Sequence, residues 1–313
     1  MARAAKPGRA LQVWRFADGL RGHENQSDGL IEALAARTAI AVHTVETPRA
    51  ARLATAWRTL VGADTGRLPS PDLLVGAGSS THLPMLVARR RRGGRVVVLM
   101  KPDLPLAWFD LVVAPCHDGV SPRDNLLVTR GALNRVRPSA RKRPDHGLML
   151  IGGPDRRHAW DALALEGQLS AIAERHPEVR WTAASSRRTP QGFLRRLAAL
   201  GIANLETVDV AEVDAEWLPR RLADAATVWV TEDSVSMLYE ALTAGAAIGL
   251  LALPRHDGSK PRASSRGDPV AEGLATRFDA WRRGAPLTPP PAPLDEAGRC
   301  ADWILDRWPP DAG

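Results

Sequence analysis

Short apolar runs, each about the length of one strand, alternate along this chain with longer stretches of helical periodicity. Leu11–Phe16, Ile40–Glu46, Asp72–Val75, Arg95–Met100 and Leu111–Ala114 read as the strands of a first round. Helical patterns lie between them, notably Ser27 to Arg37, where Leu30, Ile31 and Leu34 share a face, and Thr81 to Val87. A second round opens at His146–Ile151 and continues with Val179–Thr182, Asn204–Val208, Ala226–Val230 and Ile248–Leu251. Between these, Trp160 to Arg175 and Pro190 to Leu200 carry helical periodicity. Such alternation predicts an α/β protein with two Rossmann-like domains, each a parallel sheet covered by helices on both faces.

The expected boundaries are 1–138 for the first domain and 145–285 for the second, joined by the polar, basic linker Arg137 to Pro144. Arg255 to Asp268 is polar and turn-rich, and reads as a loop. Pro286 to Pro293 (PLTPPPAP) suits neither a helix nor a central strand and makes a stiff connector. A last amphipathic helix, Asp295 to Arg307 within 294–308, follows it and is expected to cross back to the first domain.

Length and composition agree with this plan. A chain of 313 residues, 44% apolar and 25% charged, suits two soluble domains. No apolar run approaches the roughly 18 residues of a membrane span, and no signal-like apolar segment follows the basic start, so the expected location is cytoplasmic. Cys116 and Cys300 stand far apart, with no ligand spacing for a metal. The net charge of +7 rests almost wholly on arginine and favours anionic partners. No nucleic-acid reading motif accompanies it, so a nucleic-acid partner is not expected. Arg89–Arg92 ends a helical stretch, where cations stabilise a helix C-terminus; peripheral contact with an anionic membrane at the inner face is the second expectation.

Candidate chemistry concentrates where strands give way to helices. After the first strand comes ADGLRGHENQ, Ala17 to Gln26, in which Asp18, Gly19, Gly22, His23, Glu24, Asn25 and Gln26 form a dense knot read as a loop. His23 is the candidate general base, with Asp18 and Glu24 beside it; Gly19 and Gly22 allow tight turns. So many such groups exceed what the loop alone needs, which favours function over a solvated turn. GAGSST, Gly76 to Thr81, begins like a GxGxxG turn but lacks the third glycine and the acidic residue about 20 positions on, so it argues weakly for a dinucleotide site. Lys101 suits a cleft charge or an ordinary surface lysine equally.

In the second round, GGPDRR places Gly152 and Gly153 beside Arg156, a combination suited to a pyrophosphate. AASSRR offers Ser185 or Ser186 to a base or phosphate. The stretch TEDSVSMLYEALTAG, Thr231 to Gly245, reads as turn, helix and glycine stop. Asp233 and Ser234 suit its N-cap, whose amides form an anion site. Val235, Leu238 and Leu242 face the sheet, while Ser236, Glu240 and Thr243 form a polar stripe from which Glu240 can accept hydrogen bonds from a ribose diol. A solvated helix face with an ordinary cap explains the same pattern. The sequence contains no Asp-x-Asp, so no metal site is expected; helix N-termini and cations would neutralise a leaving diphosphate.

The segments DGLRGHENQSDGL, PDLLVGAGSSTHLP with VVLMKPDLP and FDLVVAPCHDGV, and VTEDSVSMLYEALTAG resemble the ELM-type mitochondrial fission protein family in its bacterial branch, over Leu11 to Leu253. The DG-x-x-GH-x-NQ and T-x-DS-x-SM segments are the specific part. That family is similar in plan to GT-B glycosyltransferases, especially the UDP-N-acetylglucosamine transferase that completes lipid II. The resemblance implies two Rossmann-like domains facing a cleft, a donor site at Gly152–Gly153, Ser185–Ser186 and Asp233–Glu240, and His23 as the acceptor-side base. It implies no cofactor beyond a nucleotide-diphosphate sugar as co-substrate, with an acceptor it does not name. The expected function is therefore a metal-independent glycosyl transfer. A non-catalytic interaction protein that keeps the fold is the alternative, and a nicotinamide-dependent epimerase or reductase is a third reading disfavoured by the broken GxGxxG.

Overall fold

The computed structural model describes residues 9–48, 53–54, 58, 65–121, 123–256, 268–292 and 294–310. Residues 257–267 of the expected loop at 255–268, Pro293 of the proline connector and the basic start through residue 8 lie outside them. The chain divides into two compact units, residues 1–135 with 296–313, and residues 136–295.

The first unit holds β1 (Leu11–Ala17), β2 (Ile40–Glu46), β3 (Leu73–Ala77), β4 (Arg95–Leu99), β5 (Leu111–Pro115) and β6 (Leu126–Thr129). They form one parallel sheet in the order β2-β1-β3-β4-β5-β6. The second holds β7 (Arg143–Leu150), β8 (Arg180–Ala184), β9 (Leu205–Val208), β10 (Ala225–Thr231), β11 (Ala247–Leu251) and β12 (Thr276–Arg277), again all parallel, ordered β12-β11-β10-β7-β8-β9. The apolar strands are continuous runs because side chains on both faces are buried. In the first sheet Val13, Val75, Val97 and Val113 face one core, while Trp14, Phe16, Val96 and Val98 face the other. In the second, Leu148, Val228 and Ile248 face one side, with Met149, Trp181 and Trp229 on the other.

The first sheet is covered by α1 (Arg21–Ala35), α2 (Ser79–Arg92) and, at the chain's end, by a helix at Glu296–Arg307. That last helix buries Cys300, Ala301 and Ile304 in the same core as Leu30 and Leu34 of α1, and Asp302 pairs with Arg37 through Nε and Nη2 at 2.5 and 3.0 Å. The second sheet carries α3 (Ala162–Arg175), α4 (Phe193–Ala199), α5 (Trp217–Asp224), α6 (Val235–Ala244) and α7 (Phe278–Arg282), which makes the terminal helix α8. β6, β12, α5 and α7 are absent from the sequence expectation. Their apolar positions are too few to show a period on their own.

Two expectations about helix starts are corrected. α1 begins at Arg21, not Ser27, because the Leu20 carbonyl accepts the amides of His23 and Glu24 at 2.9 and 3.0 Å. Likewise Ser79–Thr81 is the first turn of α2 and not loop. The arginine run sits in the last turn of α2, as a C-terminal cation cluster should. Arg89 pairs with Asp110 at 3.1 Å, and Arg92 donates to the Leu68 carbonyl at 2.6 Å and lies over the Trp14 ring. Arg90 and Arg91 are exposed. Among the described residues no helix is long and apolar enough to cross a membrane.

Candidate functional site

In open parallel sheets, neighbouring strands whose following loops run to opposite sides leave a crevice at their carboxyl ends. The strand orders place one such switch between β1 and β3 in the first unit and one between β7 and β10 in the second. The candidate residues gather at both places.

At the first switch, the loop after β1 meets the start of α2. Asp18 has a side chain only 1% exposed, and its Oδ2 stands 2.8 Å from His23 Nδ1. The same oxygen accepts from Ser80 Oγ at 3.1 Å, and Oδ1 accepts the Leu20 amide at 3.1 Å. A carboxylate can only accept, so it holds the proton of neutral His23 on Nδ1 and leaves Nε2 as the basic nitrogen. His23 stays 22% exposed at its side chain, so the ring is both oriented and reachable. Gly78, at φ +86°, makes room for this ring. His82, one turn into α2, is buried with its ring edge-on to Phe109. Burial pushes the His82 pKa down and His23 adds to this, while Asp103 opposes it. Glu24 lies half-buried in the first turn of α1. Next to the site, Met100 adopts φ +75°, unusual for a side chain of its size, and its sulfur is 3.0 Å from Gln26 Nε2. Gly19 has open space around it, and Gly22 is an exposed position of α1.

At the second switch the loops after β7, β8 and β10 are tied together by the chain's own groups. Gly152 donates its amide to Thr231 Oγ1 at 2.7 Å, and Gly153 donates to Asp233 Oδ2 at 3.1 Å. Arg188 Nη2 reaches the same Asp233 oxygen at 2.5 Å. Thr189 Oγ1 meets the carbonyls of Ile151 and Gly152 at 2.8 and 2.7 Å. A Cβ on Gly152 would stand 2.2 Å from Asp233 Oδ2, and one on Gly153 would stand 2.0 Å from the Arg188 carbonyl. The close approach that requires these two glycines is therefore made by the protein itself.

The other sequence candidates fall into two groups. Ser185 and Ser186 are spent inside their loops: Ser185 Oγ donates to Asp209 at 3.1 Å and accepts the Val210 amide, and Ser186 binds Thr189. Asp233 does not cap α6, because its carboxylate is drawn into the pair with Arg188. Ser234 occupies the cap position without a side-chain hydrogen bond. Thr243 leaves the expected polar stripe, being buried with its hydroxyl donating to the Tyr239 carbonyl at 2.8 Å. Ser236 is exposed, Glu240 is half-buried, and Arg156 is exposed.

Sequence reasoning passed over Ser80, His82, Thr189, Arg188 and the pair Asp155–His158. Asp155 Oδ1 lies 3.0 Å from Nδ1 of the buried His158 and accepts the amides of Arg157 and His158. An aspartate three positions before a histidine was the available signal.

The fold matches solved structures of low sequence identity. A UDP-GlcNAc 2-epimerase from Methanocaldococcus jannaschii aligns with TM-score 0.59 at 12% identity, covering 96% of this chain and 100% of that one. A putative UDP-N-acetylglucosamine 2-epimerase from Listeria monocytogenes aligns with TM-score 0.58 at 14% identity over 95% of each chain. Escherichia coli heptosyltransferase WaaC with ADP-2-deoxy-2-fluoro heptose aligns with TM-score 0.50 at 12% identity, over 95% of this chain and 99% of that one. These likenesses establish a fold of the GT-B class. No curated protein matches the sequence. The family model described as mitochondrial fission ELM1 matches residues 21–308, and the chain belongs to that family.

Proposed function

We propose that this protein is a metal-independent glycosyltransferase that moves a sugar from a nucleotide-diphosphate donor to an acceptor hydroxyl. The observation that carries the reading is the 2.8 Å contact between buried Asp18 and His23 Nδ1, which presents Nε2 as a base at the carboxyl edge of a parallel sheet. The base belongs to the first unit and the donor to the second. There the first-turn amides of α6, left without a side-chain cap, and Arg156 receive the diphosphate, while Ser236 and Glu240 on the accessible face of α6 read the ribose. The similar structures of a UDP-GlcNAc 2-epimerase and of a heptosyltransferase with ADP-2-deoxy-2-fluoro heptose support a donor of this class.

Titration with UDP-, GDP- and ADP-sugars, followed by product assay with hydroxyl acceptors, tests the proposal. Saturable donor binding is expected, weakened in Glu240→Ala. His23→Ala should keep donor binding and lose transfer by about 10²–10⁴-fold. Donor binding indifferent to Glu240, or transfer indifferent to His23, sinks these assignments.

One observation favours a second reading, a non-catalytic interaction protein that retains the fold. The space beside Gly152 and Gly153 is filled by Asp233 and the Arg188 main chain. Absence of saturable binding by every nucleotide sugar would select this reading.

A further inference from the structure

The buried end of the second site is incomplete in a specific way. Asp233 has a side chain with 0% exposure, whereas its partner Arg188 is 43% exposed. An ion pair serving packing alone gains little from leaving one member half in solvent. Arg188 directs Nη2 inward to Asp233 Oδ2 at 2.5 Å and Nη1 to the Gly153 carbonyl at 3.4 Å. A guanidinium carries five N–H donors in a rigid fork, so this grip orients the plane while leaving donors on its exposed side. The other carboxylate oxygen, Asp233 Oδ1, is buried with no hydrogen-bond partner. An orphaned buried acceptor calls for a donor supplied from outside the chain, a ligand hydroxyl or a water.

Both features meet one residue before the cap of α6, whose Ser234 side chain makes no capping bond. Arg156 and Arg157 are exposed on the adjoining loop. We infer that Arg188, positioned by Asp233, binds the anionic oxygens of a diphosphate whose attached sugar carries hydroxyl donors. The inference deepens the proposed donor site and rests on that reading. It also assigns the Gly152–Gly153 pair a different task, since the glycines admit the ion pair that aims the guanidinium.

The test is calorimetric titration of the full chain with UDP, inorganic pyrophosphate and uridine. Arg188→Gln should weaken UDP and pyrophosphate by about tenfold or more and leave uridine unchanged. Arg188→Lys, which keeps the charge but not the planar fork, should fall between wild type and Arg188→Gln. Arg187→Gln, altering an exposed neighbour, should bind all three as wild type does. Urea unfolding of each variant checks that the fold is intact; should Arg188→Gln unfold, Arg188→Lys alone decides. Wild type that binds UDP and pyrophosphate, with the Arg188 variants binding within twofold of it, overturns this inference and leaves the donor reading standing. Wild type that binds neither anion overturns both.

Discussion

Gly78, just beyond β3, underlies the His23 ring so closely that a Cβ at Gly78 would stand 2.4 Å from His23 Nδ1 and 3.0 Å from Asp18 Oδ2. The glycine is also held at φ +86°, a backbone region that side chains rarely enter. Two independent constraints thus require glycine where the β3 loop meets the β1 loop.

Gly78→Ala should therefore displace the imidazole and reduce transfer nearly as far as His23→Ala, with a stability loss of about 1–3 kcal/mol. Gly119→Ala is the comparison, because Gly119 has φ +61° but open space around it. It should carry the backbone cost and leave transfer unchanged. Equal activity in Gly78→Ala and wild type would mean that the ring does not need its present position.

Asp18→Asn replaces an obligate acceptor with a group that can also donate, so the proton on His23 is free to move from Nδ1 to Nε2. Nitrogen-15 spectra of the ring should show the neutral tautomer shifting, and transfer should fall about 10²-fold or more with donor binding retained. An unchanged tautomer in Asp18→Asn would remove Asp18 from its orienting role.

Two tryptophans stack on glycines of neighbouring strands in the second sheet. Trp181 on β8 pairs with Gly147 on β7, and Trp229 on β10 pairs with Gly249 on β11. A Cβ at either glycine would stand 2.2 Å from the indole ring. Both rings are almost wholly buried in one core, so neither can swing out. Gly147→Ala and Gly249→Ala should each destabilise by about 1–3 kcal/mol or more, measured by urea unfolding. A loss below about 0.5 kcal/mol would show that the strands part easily at these positions.

Lys142, just before β7, is half-buried with its ammonium donating to the Leu222 carbonyl at 2.7 Å. Burial lowers its pKa from 10.5 to about 8, against the opposing attraction of Asp224. Between pH 8 and 10.5 the unfolded chain therefore binds more protons at this site, and stability rises with pH across that window. A shift of this size is worth about 3 kcal/mol for a fully buried amine. Half exposure reduces it to about 1–2 kcal/mol. The stability difference between wild type and Lys142→Met, followed by denaturant unfolding from pH 7 to 10.5, should change by that amount. A difference constant with pH assigns the titration elsewhere.

How much of this was legible beforehand varied with the range of the interactions. β2 was expected at Ile40–Glu46, its observed span, and α8 one residue longer than observed, because apolar period is a local signal. The ends of α1 and α2 were misplaced because glycines and polar residues spell a loop, whereas tertiary packing of Gln26, Ser80 and Thr81 holds them in a helical turn. His23 and Asp18 stood out as residue types five positions apart. Their shared partner Ser80 did not, since it comes from the next strand's loop, 62 positions beyond Asp18.

The order of apolar and polar residues along the chain was enough to specify two rounds of alternating strands and helices, since burial on both faces of a parallel sheet imposes that order on neighbours in sequence. The strand order within each sheet came only with tertiary structure, and with it the two places where loops meet. Asp233 illustrates the difference. Its sequence neighbours suggest a helix cap, yet an arginine 45 positions away and a glycine amide 80 positions away draw the carboxylate inward, because an ion pair with a main-chain donor outweighs one exposed capping bond.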